Sequence, residues 1–511
     1  MTEYRLPDHL REAQHYINGT TTASSGTSTI PVLDPATAQQ VATVPAGTTA
    51  DIDAAVGAAH TTFRSGVWSR LSGRERSRVL IRVAELFREH AEEIAQVESL
   101  DVGKPISLAR AVDVNTAADT YEYAASLAQH LDGAVRRVPL PAHAYTQREP
   151  LGVVAAITPF NFPLILSTSK IAMALAAGNT VVHKPAEDTP LSALFTASLL
   201  SQAGVPDGVY NVVTGYGTDL GDHLTAHPKV SKVAFTGSTQ TGAHVAAVAG
   251  QALRPVTAEL GGNAANIIFA DADLAQAVET SISAFVFNTG QFCMGGPRLL
   301  VELSVYDQVL EALAGAVPHV PFGDPKDPGT VIGPLANRRQ LEKVAAAVEQ
   351  AKASGARVVT GGEPAEINGG FFYRPTVLAD VANSAEAVQQ EVFGPVLTVQ
   401  PFDTEQEAIE LANSTDYGLA SGIQTGNISR AHRVADALDA GIIWVNAWGM
   451  LDPAMPFGGV KASGWGRENG PEQLEAYTRT KSVIIALEPA PDQGTSSSSS
   501  TDTADSAKDH S

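Results

Sequence analysis

The sequence predicts an α/β fold built around a doubly wound, mostly parallel sheet, and three features of the chain predict it. From residue 152 onward, short apolar runs of strand length alternate with longer stretches of helical periodicity. One of those strands ends in a glycine-containing turn, residues 237–242, that leads into a helix. The first 130 residues carry helical periodicity of their own. Strictly alternating strands and helices imply parallel neighbours with helices on both faces.

In chain order, residues 75–98 read as one amphipathic helix packed on a core, because Val79, Val83, Leu86, Phe87 and Ile94 recur at helical spacing among charges. Strands are expected at 152–157, 180–183, 209–213, 233–235 and 266–269, with helices at 164–177, 191–203 and 242–249 between them. The second half repeats the mixed character, with a helix at 338–353 and strands at 358–360 and 441–445. After Glu488 the composition collapses into Pro, Ser, Thr and Asp, which cannot bury enough apolar surface to fold, so 489–511 is expected to be a disordered tail.

At 511 residues and 44% hydrophobic composition, two or three domains are expected. A formal charge of −21 disfavours adhesion to nucleic acid or acidic membranes and leaves small molecules or proteins as partners. The N-terminal residues mix Glu3, Arg5, Asp8, His9, Arg11 and Glu12 among apolar ones, unlike a signal peptide, and no apolar stretch is long enough to span a bilayer. Both features point to the cytoplasm. Cys293 is the one cysteine, so no intrachain disulfide or Cys-rich zinc site is possible, and the 13 histidines show no HExxH spacing. No metal is expected. Taken alone, Cys293 is either a buried small hydrophobe or a reactive thiol.

Several segments look modest one at a time. Gly237, Ser238 and Gly242 form a strand-to-helix turn that could receive a pyrophosphate at the helix N-terminus, but it is not the usual GxGxxG pattern. Gly215, Gly217 and Gly221 form a second, weaker candidate. Lys184 and Glu187 follow a predicted strand, where doubly wound sheets bind ligands, and read equally well as ordinary loop charges.

Those pieces occur together with Pro159-Phe160-Asn161-Phe162-Pro163, Glu259-Leu260-Gly261-Gly262, Gly290-Gln291-Phe292-Cys293, Glu391-Val392-Phe393-Gly394-Pro395 and Pro456-Phe457-Gly458-Gly459. In order and spacing they resemble the aldehyde dehydrogenase superfamily from about residue 16 to residue 487. The resemblance implies NAD-dependent oxidation of an aldehyde to an acid through a thiohemiacetal and a thioester on Cys293. It assigns Asn161 to the oxyanion and Glu259 to water activation, 34 residues before the cysteine as in hydrolytic members. Glu468 and Lys170 match positions near the proton path, where a structural ion pair is an equal reading. Thr158, Pro159, Phe160, Lys184, Glu187, Gly217, Gly237, Ser238, Gly242, Leu260, Gly261, Gln340, Glu391 and Phe393 match cofactor positions.

The resemblance also implies a discontinuous NAD-binding domain (1–131 and 149–261), a catalytic domain (262–470) and a small β element (132–148 and 471–488) for homodimer or homotetramer assembly. Phe162, Leu166, Ser169, Phe287, Phe292, Met294, Trp448, Leu451 and Phe457 match the aldehyde tunnel; their character suits an aliphatic or aromatic aldehyde, while Trp448 and Asp452 leave a cationic one open. Two residues or segments depart from the usual pattern. Phe160 stands where many hydrolytic members carry Trp and where coenzyme-A-acylating semialdehyde members carry Phe, whereas Glu259 argues against that branch. Met294-Gly295-Gly296-Pro297 is also unusual. A non-catalytic, crystallin-like role is the remaining alternative, opposed by the joint presence of Asn161, Glu259 and Cys293.

Overall fold

The computed structural model describes Tyr4 and residues 6–488; the tail expected over 489–511 lies outside the described residues. The described residues form two compact units, one of those up to 131 and of 150–479, the other of Asp132–Glu149 and 480–488.

The larger unit contains two sheets. In the first, the strands run Thr20–Thr22, His15–Ile17, Tyr210–Val212, Thr180–Lys184, Val153–Ile157, Val230–Thr236, Val256–Glu259 and Gly464–Trp465. The five central strands are parallel, and both edges are antiparallel. Counted along the chain, the parallel strands lie in the order 3-2-1-4-5, so the winding direction reverses between Val153–Ile157 and Val230–Thr236. Alternation buries both faces. Val154 and Ala156 enter one core with Leu80, Phe87 and Tyr121, while Val153, Ala155 and Ile157 enter another with Ile52, Val56 and Val245.

The second sheet orders Arg357–Thr360, Thr376–Ala379, Val396–Phe402, Arg298–Glu302, Ala265–Ile268, Ala420–Gln424 and Ile442–Val445, all parallel except the first pair. The helix expected over 338–353 is Arg338–Ala353, opened by Asn337, whose side chain accepts from Gln340 N.

The single helix expected over 75–98 is in fact two, Gly73–Glu89 and Ala91–Val102. A capping box between Ser72 and Glu75 starts the first, and His90, at φ −100° and ψ 20°, interrupts the helical path. The C-terminal part of the small β element expected over 471–488 begins later, at Thr480. Helix Gly470–Ala476 packs in the larger unit, where Gln473 Nε2 donates to Ser169 O at 2.9 Å.

Most of a three-stranded sheet, Val135–Arg136, Ala142–Pro150 and Thr478–Ala486, makes up the smaller unit, where Ile484, Ile485 and Leu487 are exposed. Among the described residues, no helix is long and apolar enough to cross a membrane.

Candidate active site

Where winding reverses, the crossovers leave in opposite directions and the carboxyl ends of the strands open a crevice. Thr158, Pro159, Phe160 and Asn161 leave one central strand there; Gly237 and Ser238 leave its neighbour, Lys184 ends a third, and Glu259 ends a fourth. Thr158 is fixed by its N–H on Lys184 O at 3.2 Å and by its hydroxyl on His183 Nε2 at 2.8 Å.

Ser238 caps helix Thr239–Gln251 by accepting from Thr241 N at 3.2 Å, and the first turn of that helix leaves further N–H groups for an anion. A Cβ at Gly242 would overlap the Leu260 side chain, so glycine is what lets the helix lie directly on that segment. Lys184 is buried; its Nζ donates to Pro185 O at 2.9 Å and lies 3.6 Å from Glu187. Burial lowers its pKa, and Glu187 opposes that shift. Gly217 opens helix Gly217–Ala226 within 4.0 Å, as a Cβ, of the same Nζ.

Across the crevice, a Cβ at Gly290 (φ +71°) would run into the backbone of Gly394 and Pro395, which holds the 391–395 segment against the cysteine loop. Glu391 accepts from Gly262 N at 3.3 Å, and burial raises its pKa to about 7. Gly261 lies against the same carboxylate. Phe393 has φ +60°, and its ring meets Phe160 edge-on at 5.8 Å. Gln340 donates to Phe393 O at 2.6 Å and Val392 O at 3.3 Å, so it acts by holding this segment.

Asn288, Thr289 and Gly290 all adopt left-handed backbone, with φ of 50°, 57° and 71°, shortly before Cys293. Two non-glycine residues in that region store strain that the surroundings must hold. Asn161, 2% exposed, provides part of the clamp: its Nδ2 donates to Gln291 O at 3.0 Å, while Asn288 Nδ2 donates to Asn161 O at 2.8 Å and to Gln291 O at 3.1 Å. Cys293 is half-buried. Burial, then the charges of Glu391 and Glu259, push its thiol pKa up, against backbone N–H groups of Met294 and Cys293 that pull it down.

Glu259 is 2% exposed, its carboxylate oxygens make no close hydrogen bond among the described residues, and the backbone N–H of Gly459 is the one donor near enough to favour its charged form. Burial and then repulsion from Glu468 hold its pKa well above 4.5, opposed by Lys170 and Arg467. Glu468 pairs with buried Lys170 and accepts from Ser169 Oγ at 2.8 Å; Lys170 also donates to Thr236 Oγ1 at 2.6 Å, and Thr236 is in register with Glu259.

Cys293 opens onto a cavity of about 310 Å³ lined by Phe162, Leu166, Ser169, Phe287, Phe292, Met294, Leu451 and Phe457. Phe162, Phe287 and Phe292 pack on one another at centroid distances of 5.0 to 6.0 Å. Trp448, expected in this wall, is not part of it. Its indole N–H donates to Met294 O at 3.0 Å and its ring covers Gly422 and Gly296, so it buttresses the loop from behind.

The model of the aldehyde dehydrogenase family matches residues 21–483. The chain belongs to the aldehyde dehydrogenase family. A betaine aldehyde dehydrogenase of Vibrio vulnificus is 45% identical over 476 residues, covering 93% of this chain and 97% of that one. The NAD⁺ complex of an aldehyde dehydrogenase from Bacillus cereus is similar at TM-score 0.92 and 42% identity, covering 93% of this chain and 97% of that one. A betaine aldehyde dehydrogenase from Staphylococcus aureus with NAD⁺ gives 0.93 and 37%, covering 96% and 98%.

This aldehyde dehydrogenase uses NAD and oxidises an aldehyde. Its site also contains residues that the sequence reading passed over. Thr116, Asp119 and Thr120, from helix Asn115–Leu127, line the cavity; their polarity marks them only as a wet helix face. Asn288 signals itself through no motif. Lys232 does carry a signal, a lysine inside the apolar run of strand Val230–Thr236.

Proposed function

We propose that this aldehyde dehydrogenase hydrolyses its acyl intermediate, with Cys293 as nucleophile, Asn161 as oxyanion donor and Glu259 as base. The observation that carries the reading is Glu259: a carboxylate out of water, beside the nucleophile's crevice, whose burial raises its proton affinity and with it its strength as a base. Cys293 attacks the carbonyl carbon, and its proton passes to a base. The oxyanion is met by the Asn161 amide and the Cys293 N–H. The thioester on Cys293, reached once that carbon has lost a hydride to the acceptor that bound NAD would supply, is cleaved by water that Glu259 deprotonates, and the thiol leaves with a proton.

The crevice suits a dinucleotide: a helix N-terminus for the pyrophosphate, Lys184 and Glu187 for ribose hydroxyls, and Glu391 with Phe393 for the far ribose and ring. When bound, NAD supplies the hydride acceptor. Glu187 disfavours a 2′-phosphate beside it.

The three packed phenylalanines support an aliphatic or aromatic aldehyde. A cationic aldehyde is the second reading, favoured by Asp119 and Asp452 among the lining residues. Homo-oligomer assembly through the smaller unit is supported by its exposed Ile484, Ile485 and Leu487. The test is NADH formation with an aldehyde panel, with and without coenzyme A. Acid as the product, at a rate that ignores coenzyme A, is expected. Dependence on coenzyme A with an acyl-coenzyme A product would overturn the hydrolytic reading.

A further inference from the structure

Lys232 is 1% exposed within strand Val230–Thr236 and takes no part in the chemistry above. Side chains alternate along a strand, so Lys232, Ala234 and Thr236 share a face. On the adjacent strand Thr257 and Glu259 share that face too, with Ala234 opposite Thr257 and Thr236 opposite Glu259. Lys232 Nζ donates to Thr257 Oγ1 at 2.6 Å and lies 5.1 Å from the centroid of the Tyr477 ring. It forms no ion pair among the described residues.

A buried ammonium held by one hydroxyl and one ring is poorly compensated. Thr257, which holds the ammonium, is the neighbour of Glu259 on that strand face, and the charged and titratable groups packed around the face come from several elements. Lys170 comes from helix Pro163–Ala176, Arg467 and Glu468 from the segment after strand Gly464–Trp465, Tyr477 from the end of helix Gly470–Ala476, and Glu259 from the neighbouring strand. Burial lowers the Lys232 pKa to about 8, with Glu468 opposing the fall and Lys170 adding to it. Glu468 in turn raises the pKa of Glu259. The three groups are therefore linked through Glu468.

We propose that Lys232 is a positioning residue for deacylation: its positive charge offsets Glu468 and thereby sets the pH at which Glu259 ionises. The proposal rests on Glu259 being the base, as argued above. Lys232 is not among the residues that line the cavity, so its effect appears in a pH profile and not as a uniform loss.

The experiment follows the deacylation rate from pH 5.5 to 9 in the full-length enzyme, wild type against Lys232→Met, Lys232→Arg and Glu259→Gln. In Lys232→Met the acid limb should move up by about half to one pH unit, a loss of about three- to ten-fold at pH 6 relative to the plateau. Lys232→Arg keeps the charge and should restore the limb. A purely structural lysine would lower the rate by one factor at every pH, and an acid limb that stays in place in Lys232→Met overturns the proposal. Should Lys232→Met not fold, Thr257→Val removes the one hydrogen-bond acceptor that the ammonium has among the described residues; a smaller shift in the same direction is expected, and an unmoved limb again overturns the proposal. Glu259→Gln separates the two readings. If it abolishes the limb while Lys232→Met leaves the limb unmoved, only the role of Lys232 falls. If the limb persists in Glu259→Gln, the base assignment falls and the role of Lys232 with it.

Discussion

Asn161→Ala deletes one amide donor from a 2% exposed position, and its cost can be divided between folding and chemistry. The folding cost is modest. Gln291 O loses the Asn161 bond of 3.0 Å but keeps the Asn288 bond of 3.1 Å, so no buried carbonyl is orphaned. A lost neutral hydrogen bond of this kind costs about 1 kcal/mol. The chemical cost is larger because the donor meets charge that exists only during reaction. Removing one oxyanion donor slows the chemical step by about a hundred- to a thousand-fold, or about 2.7 to 4 kcal/mol. Stopped-flow NADH formation in a single turnover reads that step directly, with circular dichroism to confirm the fold. A folded variant that reacts within ten-fold of wild type would refute the oxyanion role and leave Asn161 as a clamp of the cysteine loop.

Two further outcomes follow from the cofactor crevice. Glu187→Ser should raise the NADP-to-NAD preference in kcat/KM by at least about ten-fold, since one like-charge contact is worth about 1.4 kcal/mol or more here; an unchanged ratio would remove Glu187 from the ribose site. Glu391 ionises near pH 7 in the free protein, and its carboxylate is the form that accepts hydrogen bonds, so NAD affinity should strengthen as pH rises from 6 to 8. Titration of NAD by fluorescence at both pH values should show that dependence in wild type and not in Glu391→Gln; equal dependence in both would contradict the assignment.

The sheet that builds the crevice was legible because its strands are short apolar runs separated by helical ones, and Val153–Ile157 divides its residues between two cores as such a run must. The segments that converge on Cys293 were legible only together, through their order. Local signals failed where tertiary context decides. His90 breaks a helix whose apolar spacing continues through it, because the break lies in backbone angles that periodicity does not record. Trp448 has the composition of a tunnel wall, yet its N–H finds Met294 O and its ring fills the space above two glycines. Asn288 clamps the nucleophile loop through a left-handed backbone that no motif announces.

In the proposed mechanism Glu259 serves the release of product from Cys293. Glu259→Gln keeps the volume and removes the basicity, so attack and hydride transfer should survive while hydrolysis stalls. Rapid mixing of Glu259→Gln with NAD and aldehyde, coupled to intact-mass analysis, is the most direct measurement. Where hydride transfer outruns deacylation, the expected result is a burst of up to one NADH per active site, a much slower steady phase, and an acyl adduct on Cys293 that Cys293→Ala never forms. A steady rate equal to wild type with no accumulated adduct would contradict it.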